Sequence, residues 1–134
     1  MINSKIIKIA AFSTNTGLKD NYTHKSSMRN SLCGDLIRAE FIVNKQKIIS
    51  MRYETESCVL CEASASLFSR KIKNIKVSDI VKDVKEFKKL SKNKNISLPA
   101  KFKEYKPLID SKNIQRRNCV ILPMEAFLKA FKMR

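Results

Sequence analysis

The residues of this 134-residue chain best suited to chemistry are four cysteines, Cys33, Cys58, Cys61 and Cys119. One close pair and two distant singles, spaced C-x24-C-x2-C-x57-C, do not make the double C-x2-C of a zinc ribbon. The single histidine, His24, excludes a Cys2His2 finger by count. The context of each thiol says more than the spacing. Cys33 is followed by Gly34 and Asp35, and Gly34 is one of only two glycines, so the backbone there can turn a thiol and a carboxylate towards one point. Cys58-Val59-Leu60-Cys61 runs into the small-residue stretch Ala63-Ser64-Ala65-Ser66, which places both thiols near a helix start and on one face. Helix N-termini favour the thiolate, the form that attacks sulfur or binds metal. Cys119 follows Arg116, Arg117 and Asn118, and two arginines beside a thiol act in the same direction. Three thiols and Asp35 held close would form a tetrahedral S3O site for zinc or iron. The alternative is four unrelated thiols packed as small hydrophobes.

The elements that must position these residues are legible in outline. Residues 4–12 carry Ile6, Ile7, Ile9, Ala10 and Phe12 and predict a short helix; residues 13–31, rich in Ser, Thr and Asn, predict an irregular loop. From Leu36 the chain alternates, with Ile37, Ala39, Phe41 and Val43 on one side. It turns at Asn44-Lys45-Gln46 and alternates back through Ile49, Met51 and Tyr53, giving a β-hairpin whose exit, Glu54 to Ser57, delivers Cys58. A helical pattern follows through Ala65, Phe68 and Ile72. A second helix, capped by Ser78, buries Ile80, Val81, Val84, Phe87 and Leu90. Pro99 and Pro107 punctuate a weakly periodic connector, and a last helix spans about 119–132, with Pro123 in its first turn. The expected fold is α+β: one domain over residues 1–134, in which a small antiparallel sheet, the hairpin plus a third strand, packs on a layer of helices.

Composition narrows the classes. The net charge is +16, and Lys outnumbers Arg three to one. Residues 71–106 alone hold twelve Lys against Asp79, Asp83, Glu86 and Glu104. Those lysines are interleaved with Ile, Val and Phe rather than with Arg, Gly or stacking aromatics, so a solvated surface explains them better than a nucleic-acid site. The longest uncharged run, Ile9 to Leu18, is ten residues, too short to span a membrane. Lys5 and Lys8 break the apolar N-terminus, which reads as an amphipathic helix and not a signal peptide. The expected compartment is the cytoplasm, where thiols stay reduced.

Three motifs then carry a family resemblance over about residues 20–132. Asn30-Ser31-Leu32-Cys33-Gly34-Asp35, Cys58-Val59-Leu60-Cys61-Glu62-Ala63-Ser64-Ala65-Ser66 and Arg116-Arg117-Asn118-Cys119-Val120-Ile121-Leu122-Pro123 together resemble the NifU/IscU/SufU-type iron–sulfur cluster assembly proteins, closest to the SufU-like branch. The resemblance implies a SufE/NifU-like fold and a non-enzymatic scaffold. It assigns Cys33, Cys58 and Cys119 as cluster ligands and Asp35 as the residue that tunes release or completes a zinc site. Cys61 is a fourth ligand or a sulfur relay, and Arg116 matches a supporting basic residue. Two readings stay open: a scaffold that builds a [2Fe–2S]-type cluster and passes it to apo-proteins, or a Zn2+-containing sulfur acceptor that relays persulfide from a cysteine desulfurase. The partners implied are the desulfurase and the recipient apo-proteins, with or without dimerisation around the cluster. Where part of the family places a histidine before the last cysteine, this chain has Asn118, and Thr55 and Ser57 replace glycines flanking the second cysteine's loop.

Overall fold

The computed structural model describes residues 4–11, 14–30, 34–93, 97–109 and 116–132. Cys33 therefore lies outside the described residues. Helix α1 (Ser4–Ala11) is followed by a three-stranded antiparallel sheet of β1 (His24–Arg29), β2 (Leu36–Asn44) and β3 (Lys47–Glu56), ordered β1-β2-β3. Then come α2 (Val59–Lys71), α3 (Val77–Ser91), a 3-10 turn (Ala100–Tyr105) running into the short α4 (Lys106–Ile109), and α5 (Arg117–Ala130). No helix among the described residues is long and apolar enough to cross a membrane.

The hairpin forms where alternation places it, and its turn residues Lys45 and Gln46 both take positive φ, 52° and 70°. The phase of β3 differs from expectation. Ile42 pairs with Ser50 and Val43 with Ile48, so Ile49 is an extra residue that bulges out and is 40 % exposed. That insertion lets Ile48, Met51 and Tyr53 all face the core despite their uneven spacing. The third strand lies inside the segment expected to be irregular. Its sequence, HKSSMR, lacks β-branched residues, but it pairs with β2 from His24–Phe41 to Arg29–Leu36 and alternates half-buried and exposed positions. Ser26 Oγ donates to Ala126 O at 2.6 Å, tying the strand to α5.

Helix α2 is the centre of the molecule. It packs on α1, α5 and β3 and is buried from Leu60 through Ser69 apart from Glu62. Its Ala and Ser side chains allow this close approach, and the buried Ser64 hydroxyl donates to the Val120 carbonyl of α5. Phe41, Phe68, Phe127 and Phe131 close the interface of sheet and helices through ring contacts of 4.8–5.9 Å.

Helix α3 begins at Val77 with Lys76 as N-cap, two residues before the expected Ser78. Helix α5 begins at Arg117, so Pro123 is an interior residue and not a first-turn one. A proline there has no N–H for the Cys119 carbonyl, four residues back, which loosens the backbone of the turn that carries Cys119.

Candidate metal centre

Three elements end at one point. Strands β1 and β2 are joined by a connection that closes with Asn30 N–H donating to Asp35 O (2.8 Å) and Gly34 N–H to Asn30 O (2.7 Å). Gly34 sits at φ +76°, and Arg29 donates to its carbonyl at 2.8 Å. This reversal delivers Asp35 at the foot of β2. Strand β3 ends beside it, and its exit leads to Cys58, the N-cap of α2, with extended φ/ψ of −73° and 166°. The third residue of α5 is Cys119, and the Ser64–Val120 bond fixes α5 against α2 one residue further on.

The result is a compact donor set. One ligand atom each of Asp35, Cys58 and Cys119 lie within 4.8 Å of one another. Asp35 and Cys119 are buried, 7 % and 2 % exposed, and Cys58 is half-buried. Asp35 Oδ1 accepts the Cys58 N–H at 3.3 Å, a long bond. Its Oδ2 is buried and has no hydrogen-bond partner among the described residues. A carboxylate oxygen held that way is costly unless something positive meets it. Two thiols and a hard oxygen donor around one point supply the ligand types of zinc and iron centres. The donor set fits a metal.

The other expected site residues lie elsewhere or act differently. Cys61 is fully buried in the hydrophobic core of α2, outside the three-atom group. Arg116 precedes α5 by one residue, with its Nε buried and without a partner among the described residues. Arg117 does not act as a free charge beside Cys119. It is 5 % exposed and donates to the carbonyls of Ile109 (3.3 Å), Ser91 (3.1 Å) and Asn93, anchoring the end of α3 to the start of α5. Nothing in its dipeptide context with Arg116 distinguishes the buried anchor from a surface base. His24 belongs to β1 and not to a loop; it stacks on Phe131 at 4.3 Å, at the opposite end of the strand from Asp35. Tyr53 and Tyr105 are core aromatics, and burial pushes the Tyr105 phenol up.

Comparison with known proteins agrees with this architecture. The iron–sulfur cluster assembly scaffold protein IscU of Thermotoga maritima is 29 % identical over 133 residues, covering 98 % of this chain and 93 % of its own. Among solved structures, the iron–sulfur cluster assembly scaffold protein for the SUF system of Fervidobacterium islandicum AW-1 superposes with a TM-score of 0.82 at 18 % identity, covering 96 % of this chain and 95 % of its own. A NifU-like protein (N-terminal) from Brucella abortus superposes with a TM-score of 0.78 at 18 % identity, covering 98 % and 92 %. At that identity the two structures establish the α+β fold. The sequence profile of the NifU-like N-terminal domain matches residues 1–112, from α1 through the connector and across Asp35 and Cys58, and by that match the chain belongs to the NifU-like N-terminal domain family.

Proposed function

We propose that this protein is an iron–sulfur cluster assembly scaffold, a carrier and not an enzyme, that uses residues 1–134 as one domain. The observation that carries the proposal is the meeting of ligand atoms of Cys58, Cys119 and Asp35 at one point, with the buried Oδ2 of Asp35 lacking a partner among the described residues. The cluster, of [2Fe–2S] type, is its cargo. Cys58 and Cys119 supply soft thiolate ligands from two helix starts, and Cys33, two residues before Asp35 in the sequence, supplies the third. Asp35 would be the hard, weaker donor: its Oδ1 accepts the Cys58 N–H, and its Oδ2, without a partner among the described residues, is the oxygen left to offer a metal. A mixed donor set of this kind holds iron without making the site permanent. Arg116 supports the ligand turn. A cysteine desulfurase supplies sulfur, recipient apo-proteins take the product, and the working compartment is the cytoplasm.

One feature favours a second reading. Three donors within 4.8 Å of one another stand close to the arrangement around a single tetrahedral ion, where metal–ligand bonds of about 2.0–2.3 Å put neighbouring donors roughly 3.5 Å apart, and a small inward shift would close the difference. On that reading Zn2+ is held by Cys33, Asp35, Cys58 and Cys119, and the protein accepts persulfide sulfur from the desulfurase. Cys61, one turn along α2, is fully buried in the core and lies outside this donor set. Anaerobic reconstitution with iron and sulfide, followed by the visible spectrum and iron, zinc and acid-labile sulfide analysis, separates the two. The scaffold reading expects stoichiometric sulfide and a charge-transfer spectrum lost on Cys58→Ala or Cys119→Ala. Bound zinc without sulfide, together with stimulation of a desulfurase, would replace it with the second reading.

A further inference from the structure

The outer face of α3 carries four lysines, Lys82, Lys85, Lys89 and Lys92, that the metal centre does not use. Their 3-4-3 spacing puts them within an arc of about 80° along some 15 Å of helix. That arc lies opposite the buried Ile80, Val84 and Phe87. All four are exposed, and none makes an ion pair among the described residues. The neighbouring bases differ. Lys88 pairs with Glu125 at 2.6 Å, Lys101 with Asp83 and Glu86 at 3.0 and 2.6 Å, and Lys71 with Glu104 at 2.6 Å. Asp83, Glu86, Glu104 and Glu125 are taken by those lysines, whereas Asp79 makes no ion pair among the described residues; Lys73, Lys76, Lys103 and Lys106 are exposed and unpaired as well, but only the four on α3 line up along one helix face.

A solvated helix face ordinarily mixes both signs, because like charges at i, i+3 and i, i+4 destabilise a helix. Here the 80° arc itself holds no acid; Glu86, which Lys101 holds, and Asp79 stand at its edge. It is also joined to the metal centre: Arg117 bonds the carbonyls of Ser91 and Asn93 at the end of α3, two residues before Cys119. The C-terminal end of the stripe is thus tied through Arg117 to the helix start that carries a candidate ligand.

We infer that the α3 stripe docks a protein partner through an acidic helix or acidic face, and so brings that partner to the rim of the centre. Lysine without arginine or a stacking aromatic suits carboxylates on a protein better than nucleic acid, whose readers combine a basic groove with base stacking. The inference rests on the proposed function only for what the partner does at the centre; docking itself is measured without metal.

The test uses the full chain and a fluorescent fifteen-residue helical peptide with four glutamates in 3-4-3 spacing. The controls are a peptide of the same composition with the glutamates scattered around the helix and a single-stranded oligonucleotide of equal charge. Two variants are compared, Lys82→Gln/Lys85→Gln/Lys89→Gln/Lys92→Gln and the charge-matched Lys5→Gln/Lys8→Gln/Lys19→Gln/Lys47→Gln, each checked for folding by circular dichroism. Four lost contacts of a few tenths of a kcal/mol or more weaken the striped peptide's binding about tenfold in the first variant. The second variant stays within about twofold of the unaltered protein. Four Lys→Arg changes at the stripe, which keep the charge, retain binding and show that the helix face is intact. Equal losses in both variants, no preference for striped over scattered glutamates, or tighter binding of the oligonucleotide at the same four lysines would each overturn the inference. Metal content, measured on the same samples, stays unchanged in the stripe variant. Its absence from the unaltered protein would count against the proposed function and leave the docking result to stand or fall on its own.

Discussion

Replacing Asp35 by Asn separates what the fold wants at this position from what the metal wants. Asp35 is 7 % exposed, accepts one long hydrogen bond from the Cys58 amide, and has its second oxygen without a partner among the described residues. Asn keeps an acceptor for that amide and replaces the buried charge with a neutral NH2 that also lacks a partner there, the smaller of the two penalties. Leaving a buried polar group unpaired costs about 1–3 kcal/mol, and more when it is charged. The chelator-treated variant is therefore expected to be more stable than the unaltered protein by about 1–2 kcal/mol. With a urea slope near 2 kcal/mol per molar, that moves the midpoint up by about 0.5–1 M. Metal works against that preference. If the unaltered protein is loaded at about 100 times its Kd, it gains about 2.7 kcal/mol; a variant weakened about tenfold gains about 1.4 kcal/mol at the same metal concentration. The lead of the variant in the metal-free state thus shrinks by about 1.3 kcal/mol once zinc or iron is added. The assay is paired urea denaturation with and without metal. A metal-free variant less stable than the unaltered protein by 1 kcal/mol or more would mean that Asp35 is a structural hydrogen-bonding residue, and the reasoning would be refuted.

Three further outcomes follow from other parts of the structure. Arg117→Met leaves the carbonyls of Ser91, Asn93 and Ile109 without their donor, and equilibrium denaturation should show a loss of about 2–4 kcal/mol; a loss under 1 kcal/mol would remove its role as an anchor. Gly34→Ala should cost about 1 kcal/mol from its φ of +76° alone, since no atom lies within 4 Å of the added Cβ; thermal unfolding that shows no loss would contradict the left-handed turn. Burial raises the Tyr105 phenol above its ordinary value near 10, so the stability it contributes is full below that value and is lost as pH rises through and beyond it, when only the unfolded chain ionises. Denaturation midpoints should fall above pH 10 with an added slope of up to about 1.4 kcal/mol per pH unit, and Tyr105→Phe should remove that slope.

The sequence made some elements readable and hid others for physical reasons. The alternation of β2 is strong because Ile37, Ala39 and Phe41 share one buried face, and the hairpin follows from it. Strand β1 gives no such signal. HKSSMR becomes a strand through partners remote in sequence, β2 on one side and α5 through Ser26 and Ala126. The bulge at Ile49 is hidden likewise, because both phases of β3 offer an isoleucine to the core and only the paired strand decides between Ile48 and Ile49. Asp35, Cys58 and Cys119 could be singled out because each lies at a chain reversal or helix start, where side chains of distant segments meet. Cys61 has the same residue type and sits one helical turn from Cys58, yet it faces the core; only the packing of α2 among α1, α5 and the sheet tells the two apart. Arg117 was legible as a charge but not as an anchor, since the carbonyls it binds come from the far end of α3 and from α4.

The central claim is that Asp35, Cys58 and Cys119 bind the same metal. X-ray absorption at the iron or zinc edge of the loaded protein tests it most directly. A mixed first shell of sulfur with at least one oxygen at about 2.0–2.2 Å is expected, with the oxygen scatterer lost in Asp35→Ala and sulfur reduced in Cys58→Ala and in Cys119→Ala. A shell of sulfur alone that is indifferent to Asp35→Ala, or one of nitrogen and oxygen alone, would contradict the account.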